Sequence, residues 1–495
     1  MKKIALILAL ALSVLLVFGA CGDVPLDTPD TPDTPTTPDT PTVPEEPKEL
    51  NVIPFANVDV AFTNTTTMDF TYSSRDKNAA YSSYVAVNLS ESITINRAGT
   101  YVIAGTLENG KITVDAGNTS KVQLVLAGVN IKNNDGPAIY IKEADKVHIT
   151  LKDGTENFVA DGASYVATDN GSTLDAAIFS KADLAINGTG SLTVNGNLKH
   201  GIVSKDDLVI ANGNIKVVSQ KVALNGKDCV KIGGGTITIE AGSDGIRSDN
   251  AEDANRGFVY ISDGNVKITA ASDGIQAQTV LKVDGGTVDV NAGGSSASAT
   301  VLGKGVVAER DIIISGGKVT VDSSDDALST NTTANISGGE VILKAGDDGI
   351  RAESAILISG GTVNVEKSYA GLKAAAIHVS GGTTGVIALG GIALDYTSAA
   401  YVTGGVLVSL GKGTEYGFSE AENQGAILCT FAEQKENTPF EVVDSTGKTV
   451  ATLTSPRGYT TAVVTAPELK NGGTYTLKSG NAKITEITMT SDLHK

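Results

Sequence analysis

Acidic side chains recur in this sequence at spacings that a repeating fold converts into columns. Asp244, Asp273 and Asp348 each open an Asp-Gly-Ile triplet, and Asp326 holds the equivalent place in Asp-Ala-Leu. Asp325 and Asp347 precede the last two of these and form a second column. The stretch AGSDGIRSDNAEDANRG, residues 241–257, adds Asp249, Asn250, Glu252 and Asp253 close to Asp244. Asp206 in SKDDL and Asp228 in GKDCV are a further pair, 22 residues apart. Clustered oxygen ligands without Cys or His suit Ca²⁺, which takes about six to eight oxygens at ~2.3–2.6 Å. His148, His200, His378 and His494 are scattered and give no zinc set.

Charge decides whether such columns are tolerable. Two carboxylates stacked ~4.8 Å apart repel by about 1 kcal/mol in water and by several at a lower effective dielectric. Lys304 occupies the triplet column between the Asp244–Asp273 and Asp326–Asp348 pairs and can neutralise its neighbours. The quartet Asp325, Asp326, Asp347 and Asp348 has no lysine in its own column, and Arg351 lies three residues on. A divalent ion is therefore expected there, beside the acidic insert, and at Asp206 with Asp228. Arg247, Lys304 and Arg351 are the candidate contacts to a substrate carboxylate. They are also the candidate bases if calcium acidifies a uronate proton for β-elimination. The plainer alternatives are Asx turns at each Asp-Gly and internal charge balance for the three cations.

The elements that must position these groups are legible in the period. Aligned residues His200, Val222, Asp244, Asp273, Lys304, Asp326, Asp348 and Ala370 are separated by 22, 22, 29, 31, 22, 22 and 22 residues. The two long intervals carry the inserts SDNAEDANRG and GGSSASATVL. Alternating strands such as GGGTITIEAG, SGGKVTVDSS, SGGEVILKAG and SGGTVNVEKS follow glycine bends, and Ile356, Ile358, Val363 and Val365 are expected to point inward. The period is too short for a propeller blade, lacks the Asn/Leu pattern of leucine-rich repeats, and is neither a nonapeptide calcium roll nor a hexapeptide helix. What remains is an all-β parallel β-helix of about 22 residues per coil, with like residues in axial ladders. Its exposed ends need covers. Residues 50–110 are assigned to an N-terminal cap and first strands, 111–411 to the β-helix, and 412–495 to a C-terminal β cap. The last includes a hairpin at FEVVDSTGKTVATLTS.

Residues 1–20, a basic head and an apolar run, read as a lipoprotein signal with Cys21 as the lipidated residue. Residues 21–49, rich in Thr, Pro and Asp, read as an extended linker of ~3.1 Å per residue. This predicts a lipid-anchored lipoprotein on the extracellular face of the cell membrane, touching the bilayer only through its anchor. Cys229 and Cys429 are expected to be packed thiols rather than a disulfide framework. A formal net charge of −18 excludes nucleic acid as a natural partner and repels acidic polymers unless a metal bridges them. The absence of Trp argues against an aromatic platform for crystalline cellulose.

The segments GTYVIAGTLENGKITVDA, VQLVLAGVNIKNNDGPAIYI, AAIFSKADLAINGTGSLTV, GIVSKDDLVI and SDGIRSDNAEDANRGFVYISDGNVKITAASDGIQA, with the closing PELKNGGTYTL, are similar to the bacterial carbohydrate-binding β-helix family. That resemblance implies a right-handed parallel β-helix of pectate-lyase-like fold that binds Ca²⁺ and acidic plant polysaccharides such as polygalacturonate. It maps the family's acidic segments onto Asp244, Asp249, Asn250, Asp253 and Asp273, and its SKDDL segment onto Asp206 and Asp207. The coil at Lys304 departs from the pattern, reading Lys-Gly-Val. The function expected is calcium-dependent, non-catalytic binding of a pectin-like polysaccharide at the cell surface. The alternatives are a calcium-dependent polysaccharide lyase and a structural adhesin or scaffold.

Overall fold

Short runs of alternating Val, Ile and Thr between glycine bends can bury only one face each, so they must stack on one another. They do so in the computed structural model, which describes residues 53–58, 60–61, 65–293, 302–388 and 390–495. The signal segment, Cys21, the Thr-Pro-Asp linker and most of the GGSSASATVL insert lie outside the described residues. The protein is all-β with almost no helix. Among the described residues the helices are the single turns Phe55–Asn57 and Ser74–Lys77.

Each strand of the body pairs in parallel with the strand one winding later. Ile202 faces Leu224, which faces Ile246, then Ile275, Val306, Leu328, Ile350, Leu372 and Leu394. This aliphatic ladder is almost completely buried and runs up the centre of one continuous core. The pairing of Ile246 with Ile275 spans the acidic insert without loss of register. The insert leaves and re-enters at a bend, where extra residues cost little because no ladder bond is interrupted.

Glycine is required at the triplets by close packing. Gly245 does not adopt positive φ. A Cβ there would lie 2.4 Å from Ile268 Cγ2 and 2.6 Å from the Gly274 carbonyl of the next winding. The Asp-Gly-Ile motif is thus a close inward approach followed by an inward Ile, not a left-handed turn. The left-handed bends are at the double glycines, as at Gly339 with φ of 80°.

The described residues 53–58, 60–61 and 65–80 do not close the end of the stack. They run along its flank, opposite in direction to the windings. Ile53 donates to the carbonyl of Ser398, Ala61 to Ser354 Oγ, Thr67 to Asn255, and Arg75 to Gln123. Met68, Phe70 and Tyr72 of this strap pack on Cys229, Phe258 and Tyr260. The first winding is begun by Val85–Leu89 against Gly99–Leu107.

At the other end the pattern turns antiparallel. Tyr459–Ala466 pairs with both Leu394–Gly411 and Gly425–Gln434. A separate sheet orders Thr449–Thr454, Pro439–Asp444, Thr474–Ser479 and Ala482–Thr488. The expected hairpin is present, with Asp444 Oδ1 accepting from the backbone of Thr446 and Lys448. Glu415 covers a backbone N–H of the last winding, both its oxygens accepting from Ala393 N at 3.1 and 2.9 Å.

Burial pushes the pKa of the Glu415 carboxyl up to about 7, against the bonds from the Ala393 and Leu394 amides. A folded-state pKa above the unfolded ~4.3 means the neutral acid is favoured, so the associated stability is present at low pH and lost as pH rises through about 7. The stability of the protein is expected to fall by up to about 3 kcal/mol between pH 4 and 8 from this group. Glu415→Gln should abolish that decline, as read by urea unfolding at both pH values. An unchanged decline would place its origin elsewhere.

Candidate functional site

The carboxylates that the structure brings closest together belong to SKADL and SKDDL. Leu184 and Leu208 are in register, so Asp183 and Asp207 begin adjacent strands, one winding apart, and the backbone of Asp207 donates to Asp183 Oδ1 at 3.3 Å. Asp207 in turn faces Cys229, which aligns Asp206 with Asp228. These strands turn their leucines into the core, which forces the preceding aspartates to the outside. Ligand oxygens of Asp183, Asp206 and Asp207 lie within 4.8 Å of one another, and all three residues are half-buried.

These aspartates floor a cleft of about 530 Å³. Its walls are Thr67 and Asp69 from the strap, Asp145, and Asp253, Asn255 and Arg256 from the acidic insert. The lining contains seven aspartates (69, 145, 183, 206, 207, 228 and 253) against one arginine. Arg256 is shared among Asp206 at 3.4 Å, Asp253 at 3.4 Å and Asp228. Lys231, almost wholly buried, lies 3.5 Å from Asp69 and 3.8 Å from Asp207.

Charge balance in the cleft is therefore incomplete. Burial first, then the charge of Asp207, raises the pKa of Asp183. Burial, then Asp183 and Asp207, raises that of Asp206, and Arg256 offsets this only in part. Asp183 and Asp206 are thus held closer to neighbouring carboxylates than charge favours, which is the electrostatic condition a divalent cation relieves.

The second acidic cluster is compensated by the protein itself. Oxygens of Asp325, Asp326 and Asp347 also lie within 4.8 Å of one another. However, Lys304 reaches Asp325 at 3.3 Å and Asp326 still closer, while Lys373 reaches Asp348 at 3.0 Å. The quartet expected to lack a lysine thus has two, because a lysine stem is long enough to span one winding. Asp326 further accepts from Ser329 Oγ at 2.9 Å and from Asp348 N at 3.2 Å. Asp348 is fully buried, and burial pushes its pKa up to about 6 despite Lys373.

The remaining residues singled out in the sequence are dispersed. Asp244 and Asp273 are neighbours through the Gly245 amide, but Asp244 faces Arg247 at 3.5 Å and Asp273 accepts from the Lys304 amide at 2.8 Å. Asp249 also meets Arg247, at 3.4 Å. Asn250 is buried, donates to Asp228, and accepts from the amides of Glu252 and Asp253 in a local turn. Glu252 is exposed beside Lys227 at 3.6 Å. The insert therefore spends its oxygens on its own loop and contributes Asp253 to the cleft. Arg351 pairs with Glu353, so each of the three candidate substrate contacts is engaged by the protein's own carboxylates.

Three cleft aspartates, Asp69, Asp145 and Asp183, had not been singled out in the sequence. Asp183 had a signal, since SKADL aligns with SKDDL one winding later. Asp69 had none, because the strap carries no period. Cys229 is buried under that strap and Cys429 is half-buried, both as free thiols.

The carbohydrate-binding domain-containing protein family matches residues 90–349, more than half of the chain. A carbohydrate-binding domain-containing protein of Acetivibrio thermocellus is 40% identical over 126 residues, which are 25% of this chain and 44% of that protein. The chain thus spans under half the length of that relative. Among solved structures, a polysaccharide lyase-like protein from C. thermocellum, in a gadolinium derivative, aligns with 29% identity and a TM-score of 0.38, over 56% of this chain and 96% of that one.

Proposed function

The chain belongs to the carbohydrate-binding domain-containing protein family, and we propose that it binds an acidic, pectin-like polysaccharide through Ca²⁺ held in the aspartate cleft, without catalysis. The observation that carries this is the undercompensated trio Asp183, Asp206 and Asp207. An ion bound there supplies positive charge on a surface that otherwise repels polyanions, and its open coordination positions accept uronate carboxylates from the cleft mouth. Ca²⁺ takes oxygen ligands of this kind at flexible geometry, so a wide cleft suits it better than Mg²⁺.

Non-catalytic binding is favoured over elimination by the state of the cations. Arg247, Lys304 and Arg351 are tied to carboxylates, as described. Lys231, the amine nearest the trio, is a poor base. Burial alone would lower its pKa, but the carboxylates of Asp207 and Asp69 raise it above the ordinary value, which keeps it an ammonium. The stack is proposed to be a right-handed parallel β-helix, supported by the one-winding parallel register and by the strong right-handed preference of parallel crossovers. The signal, Cys21 and linker support display at the cell surface on a lipid anchor.

Affinity electrophoresis in polygalacturonate tests the proposal. Retardation is expected in millimolar calcium and should weaken by at least about tenfold in EDTA, as calcium-bridged affinity requires. Absorbance at 235 nm should stay flat. Equal migration with and without the polymer in calcium removes acidic polysaccharide as the ligand, and rising absorbance replaces binding by lyase chemistry.

A further inference from the structure

Away from the aspartate cleft, a groove of about 550 Å³ lies where the windings meet the C-terminal antiparallel sheet. Lys344, Lys367 and Arg457 line it, with Glu366, and Ile387 and Pro456 supply apolar surface. Its volume lies within the roughly 300–1,000 Å³ range of ligand pockets. Three cations against one carboxylate leave a local charge of 3 − 1 = +2, on a chain whose formal net charge is −18.

The cations are unusually placed. Lys344 and Lys367 are register partners on adjacent strands, so their stems start one strand spacing apart. Like charges directly opposite are destabilising in a sheet. Glu366 meets Lys344 at 3.4 Å, with both side chains about half exposed, and answers only one of the pair. Neither Lys367 nor Arg457 forms an ion pair with a described residue. An anion between Lys344, Lys367 and Arg457 would replace the repulsion by attraction, and the guanidinium offers a planar fork for a carboxylate.

Ile387 and Pro456 set apolar surface beside the cations, which suits the apolar face of a pyranose better than a small inorganic anion.

We infer that this groove is a metal-independent carboxylate subsite for the acidic sugar chain, separate from the calcium cleft. It rests on the proposal that the ligand is an acidic polysaccharide. The two make different demands: the cleft needs an ion to reverse its charge, whereas the groove binds uronate directly and loses affinity with salt.

Binding of an oligogalacturonate to the whole chain, measured by calorimetry in calcium and in EDTA, separates them. Wild type should retain EDTA-resistant binding. Lys367→Ala with Arg457→Ala should weaken that component by at least about tenfold, the scale of lost charge-assisted hydrogen bonds. The calcium-dependent component and the melting temperature should stay unchanged, and Lys367→Arg should keep the binding. Binding that vanishes entirely in EDTA overturns the groove and leaves the calcium cleft standing. EDTA-resistant binding untouched by the double substitution, or matched by dextran sulfate, also overturns it. No binding in either medium overturns both proposals. Equal binding in both media, lost in the double variant, overturns the calcium bridge alone.

Discussion

Replacing Asp76 by alanine is expected to cost about 3–5 kcal/mol of stability, the range for removing one member of a buried ion pair. Its carboxylate is 3% exposed and joins the strap to the windings. Oδ1 meets Lys146 Nζ at 2.9 Å and His148 Nε2 at 3.2 Å, while Oδ2 accepts from the Ser73 amide at 3.0 Å. In return the Ser73 hydroxyl oxygen accepts from the Asp76 amide at 3.1 Å, closing the cap of the helical turn Ser74–Lys77. Asn187 donates to the Asp76 carbonyl at 3.0 Å. Alanine would leave Lys146 and His148 facing each other with no anion between them.

The same contact predicts acid sensitivity. Burial pushes Asp76 up, but bonds from His148 and Lys146 hold it well below the usual carboxylate range. A depressed folded pKa contributes stability that is complete above the unfolded ~3.9 and is lost as pH falls below it. Urea unfolding at pH 7 and pH 3 should give a much smaller difference for Asp76→Ala than for wild type. A variant within about 1 kcal/mol of wild type at pH 7 would mean that the strap is held by its apolar contacts alone. Because Thr67 and Asp69 lie on that strap, looser anchoring should also widen the cleft and weaken calcium binding.

The second large effect is expected at the cleft floor. Asp206→Asn combined with Asp207→Asn should weaken calcium affinity by at least about 100-fold, since each lost charged ligand costs roughly 1.5 kcal/mol or more. In EDTA the variant should be no less stable than wild type, because Asp183 is relieved of its neighbour's charge. This pairing of lost affinity with retained stability distinguishes a ligand set from a structural network. Asp326→Asn with Asp348→Asn is the contrast. Lys304 and Lys373 already neutralise those carboxylates, so calcium affinity should change by less than about threefold while the fold loses stability. If the outcomes are reversed, the ion belongs at Asp325, Asp326 and Asp347.

Proximity along the stack was readable from the spacing of the repeat. Asp206 beside Asp228, Asp244 beside Asp273 and Asp326 beside Asp348 are all real neighbours. Of their charge partners, Lys304 beside Asp326 was readable from its column, whereas Lys373 beside Asp348 was not, because a lysine side chain also reaches diagonally into a neighbouring column. The glycines of the triplets were visible, but their reason was not, since a Cβ at Gly245 collides with atoms 23 and 29 residues away, at Ile268 and Gly274.

By itself the sequence determined the winding. A 22-residue period with inward aliphatic residues has one economical solution, parallel strands in ladders, because hydrophobic burial and backbone hydrogen bonding both repeat with it. The sequence also set the acidic surplus. Only the tertiary structure decided where that surplus goes uncompensated. The choice depended on an aperiodic strap and an insert folding over the SKADL–SKDDL corner, and on lysines claiming the other carboxylates. These are long-range contacts between segments that share no repeat, so no local pattern encodes them.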